Sequence, residues 1–356
     1  MRSRYGIFAV VCIAALGAVL LGAAGNASAA KYVLSYSTTA TPDSFQGEAE
    51  KIFMEEVEKA TNGEVGFHVM WGGGMVSATE TLRGVADGVV DLARQNPNFF
   101  PRQLLYNNAI SILQILPAGY LDRVRVFNKI LDEVPEMRAE FTKYNQTIVY
   151  TYNAAHYCIV STKPMTKLED IKGLKVRTSA RWQLNLVRDA GALPVSIPFA
   201  DVPMSLQTNA MDATLFSVDA IDMTGVGDVA PNILMIPQLG VSSPFYVTIN
   251  NSKFKSLPPE IQAKFAEAAD AATVRFAARH DEIYQSILKK WADRGYTVTV
   301  AGPEFVEKWL ALPSNKTNIE DWVREAEADG AKDARDIVTK VFRIMEEAVA
   351  AENAAR

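Results

Sequence analysis

Past residue 30 the apolar positions change period again and again. "KYVLSYST" from Lys31 alternates as a strand, then Phe45, Ala49, Ile52, Phe53 and Val57 recur at helical spacing. Thr61-Asn62-Gly63 has the chemistry of a left-handed helix end. "VGFHVMW" is a second strand, Ser77 with Glu80 reads as a capping box for a helix that runs to Gly88, and "VVDLA" is a third strand. This βαβαβ order predicts a mostly parallel sheet with helices on its faces. A second α/β unit follows: "TIVYTY", "YCIVST", the strand "GLKVR", a helix from Arg181 to Ala190 and the strand "LPVSI". From Pro258 to Arg294, Ile261, Phe265, Ala268, Ala272, Phe276, Ile283, Ile287 and Trp291 keep helical spacing. That run fits one long helix bracing both units, and equally two helices with a bend near Arg279-His280-Asp281.

The first 29 residues have a different logic. Arg2 and Arg4 precede an apolar run from Ile7 to Leu21, and Ala27-Ser28-Ala29 ends it with small residues, the three zones of a secretory signal peptide. Cleavage before Ala30 would leave an exported, soluble, periplasmic chain of roughly 327 residues, long enough for two cores. Removing the two arginines takes the net charge from -5 to -7, and with no basic block nucleic acid is not an expected partner. Cys158 is the one cysteine after cleavage, so no internal disulfide is expected.

Catalytic patterns are missing. The chain has no GxSxG elbow, Walker A loop, CxxC pair or HExxH helix, and His68, His156 and His280 are far apart in sequence. Binding is therefore the leading class, with a secreted enzyme a distant alternative. Arg177 ends the "GLKVR" strand just before Thr178 and Ser179 at the head of a helix. A guanidinium fork beside free helix-terminal N–H groups suits a carboxylate; pairing with a surface acid such as Asp201 is the alternative. Because ligands of open α/β sheets sit beyond the carboxyl ends of strands, Thr38, Thr39, Asn96 and Phe99 are also candidates.

Five runs in order, "FMEEVEKATNGEVGFHVMWGGG", "ETLRGVADGVVDLA", "KPMTKLEDIKGLKVRTSA", "DAGALPVSIPFADVPMSLQTNAMDA" and "INNSKFKSLPPEIQ", resemble the DctP family, the extracytoplasmic solute-binding proteins of tripartite ATP-independent periplasmic (TRAP) transporters. The resemblance implies an α/β, two-lobe periplasmic-binding fold of type II, closing its cleft on a small organic acid for an ion-driven permease. Lobe I would span 30–153 with a return near 245–275, and lobe II 154–244 with C-terminal helices over 276–356. Arg177 matches the family's carboxylate-gripping arginine. Where dicarboxylate and sialic-acid binders carry a further arginine, this chain has His156 and Tyr157, either of which could donate a neutral hydrogen bond. After "MDA" it has Phe216 and Ser217 but no acid at Leu215, so neither metal nor cofactor is expected. Trp182 could stack on a ligand and Arg181 could supply a second cation. The expectation is a monomer that binds a monocarboxylate with an apolar or aromatic body; a C4-dicarboxylate ligand, or ligand presentation to a sensor receptor, remains an alternative.

Overall fold

The computed structural model describes residues 30–237, 239 and 244–355; the expected signal peptide lies outside them. The strands are β1 (Tyr32–Ser37), β2 (Val65–Met70), β3 (Leu92–Gln95), β4 (Gln146–Asn153), β5 (Tyr157–Ser161), β6 (Lys175–Arg177), β7 (Leu193–Val195), β8 (Ala213–Ser217), β9 (Asn232–Met235), β10 (Pro244–Asn250) and β11 (Thr297–Val300). Helices of seven residues or more are α1 (Phe45–Ala60), α2 (Tyr120–Glu133), α3 (Pro135–Lys143), α4 (Arg181–Asp189), α5 (Val218–Thr224), α6 (Pro259–Asp293), α7 (Pro303–Leu310), α8 (Ser314–Ala328) and α9 (Ala334–Ala355).

Two sheets give the two lobes expected from the sequence. Lobe I holds the order β2-β1-β3-β10-β4, and lobe II holds β11-β9-β5-β8-β6-β7. β1 runs parallel to β2 and β3, whereas β10, which returns from lobe II, is antiparallel to β3 and β4. The chain crosses between lobes after β4, through Ala154-Ala155-His156, and again between β9 and β10. Strand ends from both sheets therefore converge where the crossings are, and the cleft forms there.

α6 settles the question of the long helix: it is one continuous helix of 35 residues, about 52 Å at 1.5 Å per residue. No bend forms at Arg279-His280-Asp281 because both faces are anchored there. His280 is buried beside Phe45 with ring centroids 5.4 Å apart, one turn from Phe276 at 5.0 Å. Arg279 forms an ion pair with Glu48 on the outer side. α6 lies along α1 and β4 of lobe I and reaches α5 of lobe II.

The C-terminal elements divide. β11 joins β9 of lobe II, and α7 packs Phe305 and Trp309 into the lobe II core with Ile159 and Leu215. α9, which the sequence reading grouped with lobe II, places Ile337, Val341 and Ile344 in a core shared with Phe127, Ile130 and Leu131 of α2 in lobe I. α8 lies between, packing against α4 and α9. Burial of the apolar stripe of α9 against α2 is what decides the placement.

Local chemistry positions α1 at the cleft. Ser44 caps its N-terminus, the side chain accepting from the Gly47 amide at 3.0 Å. A Cβ on Gly47 would lie 2.0 Å from the Thr41 carbonyl oxygen, so only glycine lets the turn at Thr41-Pro42 sit this close. At the other end Asn62 and Gly63 take positive φ, 51° and 80°, the left-handed exit anticipated from Thr61-Asn62-Gly63.

Candidate functional site

Between the lobes lies a narrow cleft enclosing about 40 Å³, lined from lobe I by Thr39, Gln46, Arg94, Asn96, Phe99 and Phe245 and from lobe II by Tyr157, Arg177, Ser179, Phe199, Phe216 and Ser217. The lining residues sit at strand ends, at helix starts or in the turns that follow strands. Arg177 is the last residue of β6, paired in register with Thr214 of β8. Tyr157 and Ser217 face each other across the β5–β8 ladder. Asn96 caps the turn that carries Phe99, its Oδ1 accepting from the Asn98 amide at 3.1 Å.

Arg177 is the electrostatic focus. It is 2% exposed, and its Nε donates to the Ile197 carbonyl at 3.0 Å while Nη1 is buried with no hydrogen-bond partner. Among the described residues no carboxylate oxygen lies within 4.0 Å of it, so the pairing with Asp201 weighed from the sequence does not form. Burial lowers its pKa to about 10, and the nearby Tyr157 only partly offsets this. The guanidinium lies over the Phe216 ring, 5.3 Å from its centroid, and Phe199 packs on Phe216 at 5.4 Å. Burial likewise raises the Tyr157 hydroxyl to about 12, so it stays a neutral donor beside Ser179 and Arg177. The site thus places an uncompensated buried cation with an open donor against aromatic walls.

A second arginine shares the cleft, and the sequence reading did not single it out. Arg94 on β3 is buried, but unlike Arg177 it has a carboxylate: Nε lies 3.7 Å from Glu50 Oε1 on α1. Its Nη1 donates to Gln46 Oε1, and its guanidinium lies 4.7 Å from the Phe245 ring centroid. Glu50 also accepts from Thr38 Oγ1 at 3.1 Å and from the Tyr152 hydroxyl. Burial pushes the Glu50 carboxyl up, against the pull of Arg94 and these hydroxyls. Thr38 thus lies behind the cleft, supporting Glu50, while its neighbour Thr39 lines it. The signal for Arg94 was its place two residues before Asn96, near the carboxyl end of the strand that leads into the candidate turn. It was hidden because the predicted strand "VVDLA" stops at Ala93, whereas β3 runs to Gln95.

Three expected ligand contacts do not reach the cleft. His156 sits at the lobe crossing, its ring edge-on to Tyr284 of α6 at 5.6 Å, in a small pocket with Leu116, Pro117 and Arg123. Burial first, then the charge of Arg123, lowers its pKa to about 3. Trp182 is 3% exposed in the core that holds Trp322 and Phe127, and its carbonyl accepts from Asn318 Nδ2 at 3.0 Å. The helical face it shares with Leu186 points into the protein, which is the reason it cannot stack on a ligand. Arg181 pairs with Glu325 of α8 and covers the Trp182 ring at 4.0 Å. Arg181 on helix α4 therefore brings no second cation to the cleft, and the other arginine that lines it stands on strand β3 of lobe I.

A two-lobe α/β molecule with a cationic cleft at the crossings narrows the families to compare. The model of the bacterial extracellular solute-binding protein family 7, DctP, matches residues 36–316. The chain belongs to this family. Its members are periplasmic components of TRAP transport that bind small organic acids and work with membrane permease subunits. The 2,3-diketo-L-gulonate-binding periplasmic protein of Escherichia coli (strain K12) is 24% identical over 71% of this chain and 76% of its own length. Two solved marine-metagenome TRAP solute-binding proteins share the fold. One, specific for aromatic acid ligands and holding 3-hydroxybenzoate, has a TM-score of 0.77 at 18% identity, covering 90% of this chain and 99% of its own. The other, specific for pyroglutamate, has a TM-score of 0.73 at 19% identity, covering 88% and 99%.

Proposed function

We propose that this TRAP solute-binding protein takes a monocarboxylate with an aromatic or otherwise apolar body, gripped by Arg177 and packed among Phe99, Phe199, Phe216 and Phe245. The observation that carries the reading is the buried Arg177 guanidinium, which has an open donor and no counter-ion. A carboxylate arriving there makes charge-assisted bonds that no protein group supplies. The second arginine does not turn the site into a dicarboxylate receptor. Glu50 already balances Arg94, so a second anionic group would be desolvated beside a pair that is neutral overall. An aromatic body avoids that cost and buries apolar surface worth about 25 cal/mol per Å². A solved relative that holds 3-hydroxybenzoate in the same fold agrees with this class.

A thermal-shift and calorimetric series tests it, with benzoate and 3-hydroxybenzoate against succinate, malate and fumarate. A ligand at 100 times its Kd adds about 2.7 kcal/mol to the folded state. The aromatic acids are expected to raise Tm and the dicarboxylates to leave it unchanged. Submicromolar binding of a C4-dicarboxylate without binding of either aromatic acid would overturn the assignment.

A further inference from the structure

The cleft floor contains a chain of polar contacts that joins the lobes. Glu50 of α1 holds Arg94, Arg94 donates to Gln46 Oε1, and Gln46 Nε2 donates to Asp219 Oδ2. Asp219 belongs to α5 of lobe II, and its other oxygen accepts from the Ala155 amide at 2.8 Å, in the crossing between β4 and β5. Gln46 and Asp219 are 3% and 1% exposed. One amide thus spans from a cleft arginine of lobe I to a carboxylate of lobe II that is itself tied to the hinge. Because Gln46 has a single amide group, the orientation that lets it accept from Arg94 is also the one that lets it donate to Asp219.

Arg94 also lines the ligand space, and of its five N–H donors Nη1 is taken by Gln46 while Nε stands 3.7 Å from Glu50, beyond hydrogen-bond length. Its charge is balanced, so it favours a neutral acceptor such as a hydroxyl, carbonyl or ring oxygen over a second carboxylate. Arg177 stands on the opposite lobe. Resting on the monocarboxylate reading above, we propose that Arg94, oriented by Gln46, is a second ligand anchor that selects organic acids carrying an acceptor oxygen remote from the carboxylate. The Gln46–Asp219 bond makes engagement of that anchor part of lobe closure. A ligand bridging Arg177 and Arg94 then supports the same approach of the lobes that Gln46 and Asp219 hold.

Two measurements test the two halves. For the anchor, calorimetry compares 3-hydroxybenzoate with benzoate in the wild type and in Arg94→Lys, which keeps a counter-ion for Glu50 but lacks the fork. The wild type is expected to prefer the hydroxy acid by about tenfold or more, one well-placed hydrogen bond, and the variant to lose that preference to within threefold. An unaltered ratio overturns the anchor. Arg177→Met serves as the control for the carboxylate grip and is expected to weaken both acids together. For the latch, paired spin labels at the exposed Glu58 and Lys167, one on each lobe, report the lobe separation without ligand in the Arg177→Met background, where no unpaired cation opposes closure. Gln46→Glu keeps the acceptor for Arg94 but sets a carboxylate against Asp219, and should lengthen the distance distribution. An unchanged distribution overturns the latch. If the wild type binds neither acid, the monocarboxylate reading fails and the anchor falls with it, while the distances decide the latch independently.

Discussion

Replacing Arg177 with methionine should move ligand affinity and ligand-free stability in opposite directions. The guanidinium is buried without a carboxylate, and its lowered pKa, from 12.5 to about 10, corresponds to a penalty of about 3 kcal/mol for keeping it charged in the fold. Two contacts offset part of this: the hydrogen bond to the Ile197 carbonyl, worth about 1 kcal/mol, and the contact with Phe216, worth about 1 kcal/mol. Methionine gives up both but fills similar volume without a charge, so with the lobes together the ligand-free variant should be about 1 kcal/mol more stable than the wild type. Binding should weaken by about 2 to 5 kcal/mol, because the carboxylate would be buried unpaired, which is roughly 30- to 4000-fold in Kd. Urea denaturation measures the first quantity and calorimetry with benzoate the second. A purely structural arginine would lose stability on substitution and leave affinity intact, and that result would refute the reasoning.

Trp182→Ala should cost about 3 to 5 kcal/mol of stability through the cavity left beside Trp322, while calorimetry on the folded fraction shows benzoate affinity within a few-fold of wild type; a selective loss of aromatic ligand would return Trp182 to the site. Burial pushes the Glu140 carboxyl up to about 7, so between about pH 4.5 and 7 the folded state holds a proton that the unfolded state has lost. Stability should fall by about 3 kcal/mol as pH rises through that window, and Glu140→Gln should flatten the profile in urea titrations at pH 5 and 8. His156 acts in the opposite sense. With its pKa lowered to about 3, its unfolded form takes up a proton first as pH drops below 6.5, so stability should decline by about 3 kcal/mol from pH 6.5 to 4.5. His156→Leu should remove that part of the acid sensitivity, and thermal midpoints at pH 4.5 and 7.5 that shift equally in both proteins would count against it.

The architecture was legible because its signals are local. Period-two and helical-period apolar positions mark most strands and helices, the small-residue exit at Thr61-Asn62-Gly63 sets where α1 ends, and Arg177 stands where a strand meets a helix. Local periodicity says less about which face of an element meets which lobe. Trp182 and Phe216 are both aromatic residues at the edge of a regular element, yet α4 turns Trp182 toward α8 while β8 turns Phe216 toward Arg177. That difference depends on where α8 packs, more than 130 residues further along the chain. Arg94 escaped for a related reason. Its importance comes from Glu50 and Gln46, neither of which stands near it in sequence, and its strand was read as ending at Ala93, two residues too soon.

The two cleft arginines act oppositely on an empty protein. With the lobes apart, water reaches Arg177 and solvates it; with the lobes together and no ligand, the guanidinium is stripped of water and finds no anion, at a cost of about 3 kcal/mol by the same reckoning. A penalty of that size lowers the closed population about a hundredfold. The Gln46–Asp219 bond works the other way, favouring approach of the lobes whether or not a ligand is present. A carboxylate on Arg177 removes the penalty and leaves the latch in force, so closure follows occupancy. On the proposed reading, a permease that distinguishes closed from open protein is thereby presented mainly with loaded molecules. The discrimination would reside in one unpaired cation, which is why Arg177→Met should not only lose ligand but also close while empty. In the Glu58–Lys167 distance measurement, ligand-free Arg177→Met is expected to shift toward the short distances of the loaded wild type. A distribution matching the ligand-free wild type would show that burial of Arg177 does not control closure.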